Sequence, residues 1–270
     1  MTPFETPVVG YMGGKRRLAK QIVDLMPARL ELYVEPFVGM GAVYLRLRSQ
    51  GYGGPAVLAD AHPCVSAFWK IIHDRSASVR LIDACRNLTA TTDADDFYSA
   101  AACSPGFGED RVARFLWLTN YSYSNRPPGL RNERWYVQGC KLTSAAKYGH
   151  LYPWENVVER VRRLAIAADI WSVEVLDDAV AAIRRSTDES VTYADPPYAG
   201  TSEYQATCKN VVDELEVARG FVMLSEMTSF PLSWPFEPAS VVARVSNASG
   251  AVGVRQEGVF IKPFSPKDPT

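Results

Sequence analysis

Apolar positions along the chain alternate between two periods. "LELYVEP" (30–36) is a short apolar run and reads as a buried strand. The glycines of "FVGMGA" read as a turn, and "VYLRLRSQ" (43–50) as the helix that follows. "AVLAD" (56–60) predicts a second strand, and Val65, Phe68, Trp69 and Ile72 recur at helical spacing after it. Toward the other end, "IWSVEVL" (170–176), "SVTYAD" (190–195) and "GFVMLSE" (220–226) predict three more strands, with helices near 178–185 and 210–219. Strands alternating with helices in this way predict an α/β fold, a doubly wound, mostly parallel Rossmann-like sheet.

Residues 76–168 interrupt that alternation. "EDRVARFLWLTNYSY" (109–123) and "ENVVERVRRLAIAAD" (155–169) read as helices, and the basic stretch from Ser124 to His150 between them reads as an irregular connection. The expected organisation is therefore one α/β domain built from 1–75 and 169–270, carrying a mainly helical insertion at 76–168. Repeats and low-complexity tracts are missing, and the tail "KPFSPKDPT" is expected to be frayed.

Composition narrows the picture only slightly. A chain of 270 residues with 47% hydrophobic content can bury a substantial core. Its net charge of -1 means that any polyanion must be met by a local basic face. Five cysteines, odd in number and without a C-x-x-C pair, argue against a disulfide framework and against a zinc site. "MTPFETPVVG" lacks the features of a signal peptide, and no apolar run approaches ~18 residues. A soluble, cytoplasmic protein with no metal and no membrane segment is expected.

Two places carry candidate chemistry. Gly39 and Gly41 stand between a predicted strand and helix, where glycine lets a ligand approach the backbone and the helix amides. Asp60 ends the next predicted strand nineteen residues beyond Gly41, a spacing at which a carboxylate accepts hydrogen bonds from a ribose. Together they imply a nucleoside-containing cofactor; a tight turn and a helix cap are the plainer alternatives. The second place is Asp195-Pro196-Pro197-Tyr198, directly after another predicted strand. A carboxylate and a carbonyl held by prolines are two acceptors able to orient an exocyclic amino group, and Tyr198 offers a face for a base to stack on.

"YMGGKRRLAKQI", "YVEPFVGMGAV", "LADAHP", "VTYADPPYAG" and "EGVFIKP", in that order, resemble the Dam-like S-adenosylmethionine-dependent DNA adenine N6-methyltransferases. The resemblance implies the class I methyltransferase fold and methyl transfer to N6 of a flipped-out adenine. It places Tyr11, Gly13, Gly14 and Lys15 against the cofactor, Phe37, Gly39 and Gly41 under its methionine part, and Asp60 on its ribose. Asp177 or Asp178 would meet its adenine, with Asp178 favoured, although either could be an ordinary helix cap. Asp195, Pro196, Pro197 and Tyr198 would form the catalytic corner, Asp195 also facing the cofactor. DNA contacts are implied for Tyr123, Asn125, Arg126, Arg131, Arg134, Lys141 and Lys147, where one acid, Glu133, stands among five bases. A solvated basic loop is the plainer reading of that stretch. Here Tyr123-Ser124-Asn125-Arg126 departs from the family's Phe/Tyr-Asn-Gly pattern, which leaves the target sequence open. Cytosine N4 or RNA as acceptor, and a DNA-binding homologue without turnover, are the alternatives. The pattern is compatible with a monomer and is silent on any cognate restriction enzyme. His62, His73 and His150 are expected to be capping or surface residues.

Overall fold

In chain order, helix α1 (Ala19–Asp24) and strand β1 (Leu32–Glu35) are followed by α2 (Ala42–Ser49), β2 (Ala56–Ala59), α3 (Pro63–Ile72), α4 (Arg75–Arg86), α5 (Ala94–Ala102) and α6 (Gly108–Tyr121). The hairpin strands β3 (Gly129–Arg131) and β4 (Arg134–Tyr136) and helix α7 (Trp154–Ala168) come next. The chain ends with β5 (Val173–Leu176), α8 (Ala179–Ile183), β6 (Ser190–Ala194), α9 (Val211–Val217), β7 (Phe221–Met227), β8 (Glu237–Val245) and β9 (Arg255–Lys262). The computed structural model describes residues 4–143, 151–197, 211–227, 236–245 and 255–262. Tyr198, Lys147, His150 and the tail beyond Lys262 lie outside the described residues.

The chain forms two compact units: Met1–Arg16, Gly39–Gln50 and His62–Trp171 make the first, and Arg17–Val38, Gly51–Ala61 and Ser172–Thr270 the second. The second unit holds a seven-stranded sheet in the order β5-β2-β1-β6-β7-β9-β8. Pairing is parallel from β5 through β7 and antiparallel at β9 and β8. From the β1–β6 boundary the strands run outward in both directions, as in a doubly wound sheet, so that boundary is its topological switch point. Its core is mostly aliphatic: Val34, Val57, Ala59 and Ala182 pack together, and Ala194, Leu215, Val222 and Leu224 form a second cluster with Phe260.

The five expected strands are present. β5 begins three residues later than its apolar run, because Ile170 stands in a turn and is 86% exposed. β8 and β9 were not expected. They pair antiparallel at the edge of the sheet, with Pro238 on the outermost strand and a register shift between Pro238 and Val242. Such an edge strand tolerates proline, which breaks the alternation that a sequence pattern relies on.

In the first unit, helix starts follow local chemistry. His62 caps α3, its Nδ1 accepting from the Cys64 N–H (3.2 Å) with Pro63 behind it. His73 stands at the other end of α3. Asp74 caps α4 through the Ala77 N–H (2.8 Å). Burial pushes the Cys64 thiol up to about 12, so it is chemically inert. The basic stretch expected to be irregular instead contains the β3–β4 hairpin, with Leu130 opposite Trp135 and Arg131 opposite Arg134. Its turn residues Asn132 and Glu133 both have positive φ, 49° and 57°, as a two-residue turn of the I′ type demands. The usual Asn-Gly signal is missing there, since glutamate takes the glycine's place.

One buried group makes stability depend on pH. The His73 ring stacks 6.2 Å from the Trp69 ring and lies 6.2 Å from that of Trp171, with the Arg48 guanidinium 5.0 Å from the Trp171 centroid. Burial, aided by the charge of Arg48, pushes the His73 pKa from 6.5 down to about 4. Between those values the unfolded chain takes up a proton that the folded chain does not. The stability due to His73 is therefore complete above pH 6.5 and declines as pH falls toward 4, by about 3 kcal/mol in all. Denaturant unfolding near pH 7 and near pH 4.5 should show a steeper loss for the native chain than for His73→Phe; equal losses would free His73 from this role.

Candidate active site

In the second unit, acids stand at the carboxyl ends of four neighbouring parallel strands. Glu35 ends β1, Asp60 follows β2, Asp177 and Asp178 follow β5, and Asp195 follows β6. Ligands of open α/β sheets bind at this edge, beside the switch point. The Val38 N–H donates to the Ala59 carbonyl (2.9 Å), so the segment leaving β1 is tied to the end of β2 next to Asp60. Phe37 packs against the apolar cluster of Ile183, Leu215 and Leu224. Asp195 is half-buried, Pro196 buried and Pro197 half-buried.

Asp178 caps α8: its Oδ1 accepts from the Val180 N–H (2.9 Å). That is the plainer of its two expected roles, and the cap occupies one carboxylate oxygen. Both Asp177 and Asp178 are exposed. Glu35 did not figure among the expected site residues. It is only 3% exposed and accepts a hydrogen bond from the Tyr33 hydroxyl (2.8 Å). A carboxylate inside an otherwise apolar strand was the signal for it, since buried acids persist only with partners or a ligand. The lysine of "EGVFIKP" is structural: Lys262 Nζ donates to the Glu216 (2.8 Å) and Leu215 (3.2 Å) carbonyls and closes the end of α9.

In the first unit, Tyr11, Gly13, Gly14, Lys15, Gly39 and Gly41 come together. Gly14 N–H bonds to the Tyr11 carbonyl (3.1 Å) across a turn with Gly13 at φ 76°, and Lys15 Nζ folds back onto the Gly13 carbonyl (3.0 Å). The Tyr11 ring lies against Gly39, 3.4 Å from where a Cβ would stand. Gly41 has φ 72° and a hypothetical Cβ 2.4 Å from the Trp69 ring, so no other residue fits. Trp69 Nε1 also donates to the Gly39 carbonyl (2.8 Å). Gly41 is the N-cap of α2 and provides no side-chain cap, which leaves the first-turn amides directed at whatever stands before the helix.

The DNA-contact candidates divide. Tyr123 is half-buried, whereas Arg126, Arg131 and Arg134 are exposed on or beside the hairpin. The Arg131 guanidinium lies 5.8 Å from the Tyr136 ring centroid, and Arg126 bonds to Gln138. Asn125 and Lys141 are turned inward, 5% and 9% exposed. Lys141 Nζ donates to the Asn120 carbonyl (2.7 Å), and burial brings its pKa down to about 8. It holds the foot of the hairpin and does not face outward. Among the described residues no group of three or more His, Cys, Asp and Glu is placed to hold a metal ion, and no helix is long and apolar enough to cross a membrane.

The strand order, the glycine turn after β1 and the acids beyond the strand ends are those of a class I methyltransferase fold. The model of the D12 class N6 adenine-specific DNA methyltransferases matches residues 11–231, and the chain belongs to that family. It is similar to the DNA adenine methylase of Haemophilus influenzae, with 26% identity over 72% of this chain and 64% of that protein. It is also similar to a Type II methyltransferase of Lactococcus lactis subsp. cremoris (24%, covering 74% and 68%) and to the DNA adenine methylase of Salmonella typhi (28%, covering 71% and 64%). The chain thus spans less than two thirds of the length of the Haemophilus and Salmonella proteins.

The contact between Gly41 and Trp69 is directly testable. Gly41→Ala combines a left-handed backbone with overpacking against an indole and should destabilise the chain by about 2–4 kcal/mol. Gly13→Ala also has a positive φ but open space around it, and should cost only about 1 kcal/mol. Thermal melts of the two variants give the comparison, and equal losses would mean that the Trp69 contact contributes nothing.

Proposed function

We propose that the protein transfers a methyl group from S-adenosylmethionine to N6 of an adenine in DNA. The observation that carries the reading is Asp195-Pro196-Pro197 at the carboxyl end of β6, beside the switch point and next to the strand that leads into Gly39 and Gly41. The residues suit the cofactor: uncapped amides at the start of α2 for a carboxylate, a glycine turn at Gly39 and Gly41 held in left-handed geometry with the Tyr11 ring against it, and Asp60 for ribose hydroxyls. Bound there, S-adenosylmethionine supplies an electrophilic methyl on a positively charged sulfur.

The chain's own groups would do the rest. An adenine inside a duplex is out of reach, so it must be flipped into the site. The Asp195 carboxylate and the Pro196 carbonyl would each accept an N6–H, which aims the nitrogen lone pair along the line of transfer. On transfer, positive charge would grow on N6 as the sulfur departed as a neutral thioether, and the Asp195 carboxylate would stabilise that charge until the N6 proton passed to water. Prolines at 196 and 197 hold both acceptors in place at little entropic cost. We assign target recognition to 76–168, with Arg126, Arg131 and Arg134 on phosphates and the exposed hairpin toward the bases. A cytoplasmic location follows from that role.

Incubation with tritiated S-adenosylmethionine and mixed-sequence DNA, followed by nucleoside analysis, should yield N6-methyladenine. N4-methylcytosine, or no incorporation, would overturn the assignment. Asp195→Ala should slow transfer about 10²–10³-fold while leaving cofactor affinity nearly unchanged, because its contacts are to the acceptor. A variant that is merely less stable, with full specific activity, would return Asp195 to a turn-forming role. Arg131→Ala and Arg134→Ala should each weaken DNA binding across sequences and flatten its log-log salt dependence by about one.

A further inference from the structure

Asn125 leads into the hairpin by sequence, yet its side chain is buried and turned toward the N-terminal segment. We infer that Asn125 is a positioning residue of segment 10–15, so that the foot of the hairpin governs how tightly the cofactor is held. The inference rests on the reading of that segment as part of the cofactor site.

The grip has two points. The Asn125 amide lies flat on Gly10, where a Cβ would stand 2.7 Å from both its Cγ and its Oδ1. The Asn125 carbonyl accepts from the Met12 N–H (3.1 Å). Tyr11 is thereby held between two clamped neighbours, and its ring is the group that rests on Gly39. A displacement at Gly10 or Met12 would move that ring and, through the turn to Gly14, the Lys15–Gly13 contact.

Asn125 is itself held under strain. Ser124 and Asn125 have φ of 56° and 55°, two successive non-glycine residues in the left-handed region. Asparagine is among the side chains that accept this conformation best, and serine accepts it less readily. The surrounding ladder enforces it: the Tyr123 N–H bonds to the Gly139 carbonyl (2.9 Å), and Ser122 is bridged to Cys140. The strained pair thus joins the stem of the hairpin to the turn at 11–14, and a direct DNA contact would require Asn125 to abandon both grips.

A double-variant cycle on the full chain tests this, using Gly10→Ala, Asn125→Gly and the pair together. Gly10 has no positive φ, so alanine there adds only a methyl group, and glycine at 125 keeps the left-handed backbone while vacating the amide's space. Calorimetric affinity for S-adenosylmethionine should fall about tenfold in Gly10→Ala. It should fall several-fold in Asn125→Gly, and the double variant should bind within about threefold of Asn125→Gly because the methyl group now has room. DNA affinity by fluorescence anisotropy without cofactor should stay within about twofold in all forms, and melts restrict the comparison to folded chain. Independent, multiplying losses in the double variant would overturn the inference, as would an Asn125→Gly chain that loses DNA affinity and keeps cofactor affinity. A native chain that binds DNA but no S-adenosylmethionine would overturn the functional reading, and this inference with it.

Discussion

The Trp69 indole occupies the volume that a side chain at position 41 would need, and its N–H holds the carbonyl of Gly39. Much of the first unit's candidate chemistry depends on that one contact. With the carbonyl engaged and the loop in left-handed geometry, α2 can begin at Ala42 with its first amides uncapped and available. The same loop gives the Tyr11 ring a flat glycine surface to rest on. Trp69 stands edge-on to Tyr44 and Phe68 in the core, so the loop is held by packing that continues into the core.

Charge is distributed in a way that the net value of -1 conceals. Carboxylates collect beyond the strand ends of the second unit, where they can accept hydrogen bonds from hydroxyls and amino groups. Exposed arginines collect around a short hairpin in the first. The two kinds of charge thus stand on separate elements, carboxylates after parallel strands and exposed arginines on or beside a hairpin. Lys141 shows the limit of counting charges: it belongs to the basic stretch in sequence, but its ammonium is buried on the Asn120 carbonyl.

Glycine and asparagine perform related work at 10, 13, 39, 41 and 125, either by adopting left-handed backbone or by leaving room for a neighbour. Strain of this kind persists only where the surroundings over-determine it. Trp69 over-determines Gly41, and the paired stem at 122–123 and 139–140 over-determines Asn125.

The alternation of apolar runs by itself determined the parallel part of the sheet, since β1, β2, β6 and β7 are mostly buried strands whose hydrophobicity is local and continuous, and β5, half-exposed at the edge, still carries a short apolar run. It also determined the long helices α6 and α7, whose apolar stripes repeat at helical spacing, and the order of the glycine turn and the Asp-Pro-Pro-Tyr corner. The antiparallel strands β8, at the edge, and β9 beside it, and the β3–β4 hairpin were not legible, because proline, glutamate and arginine occupy them and pairing partners alone make them strands. Which candidates face inward was likewise settled only by tertiary structure. Asn125 and Lys141 have the composition of contact residues and Glu35 that of a break in a strand, yet all three are buried. Burial and hydrogen bonding are properties of distant neighbours, Gly10 for Asn125 and Asn120 for Lys141, and no local window of sequence contains them.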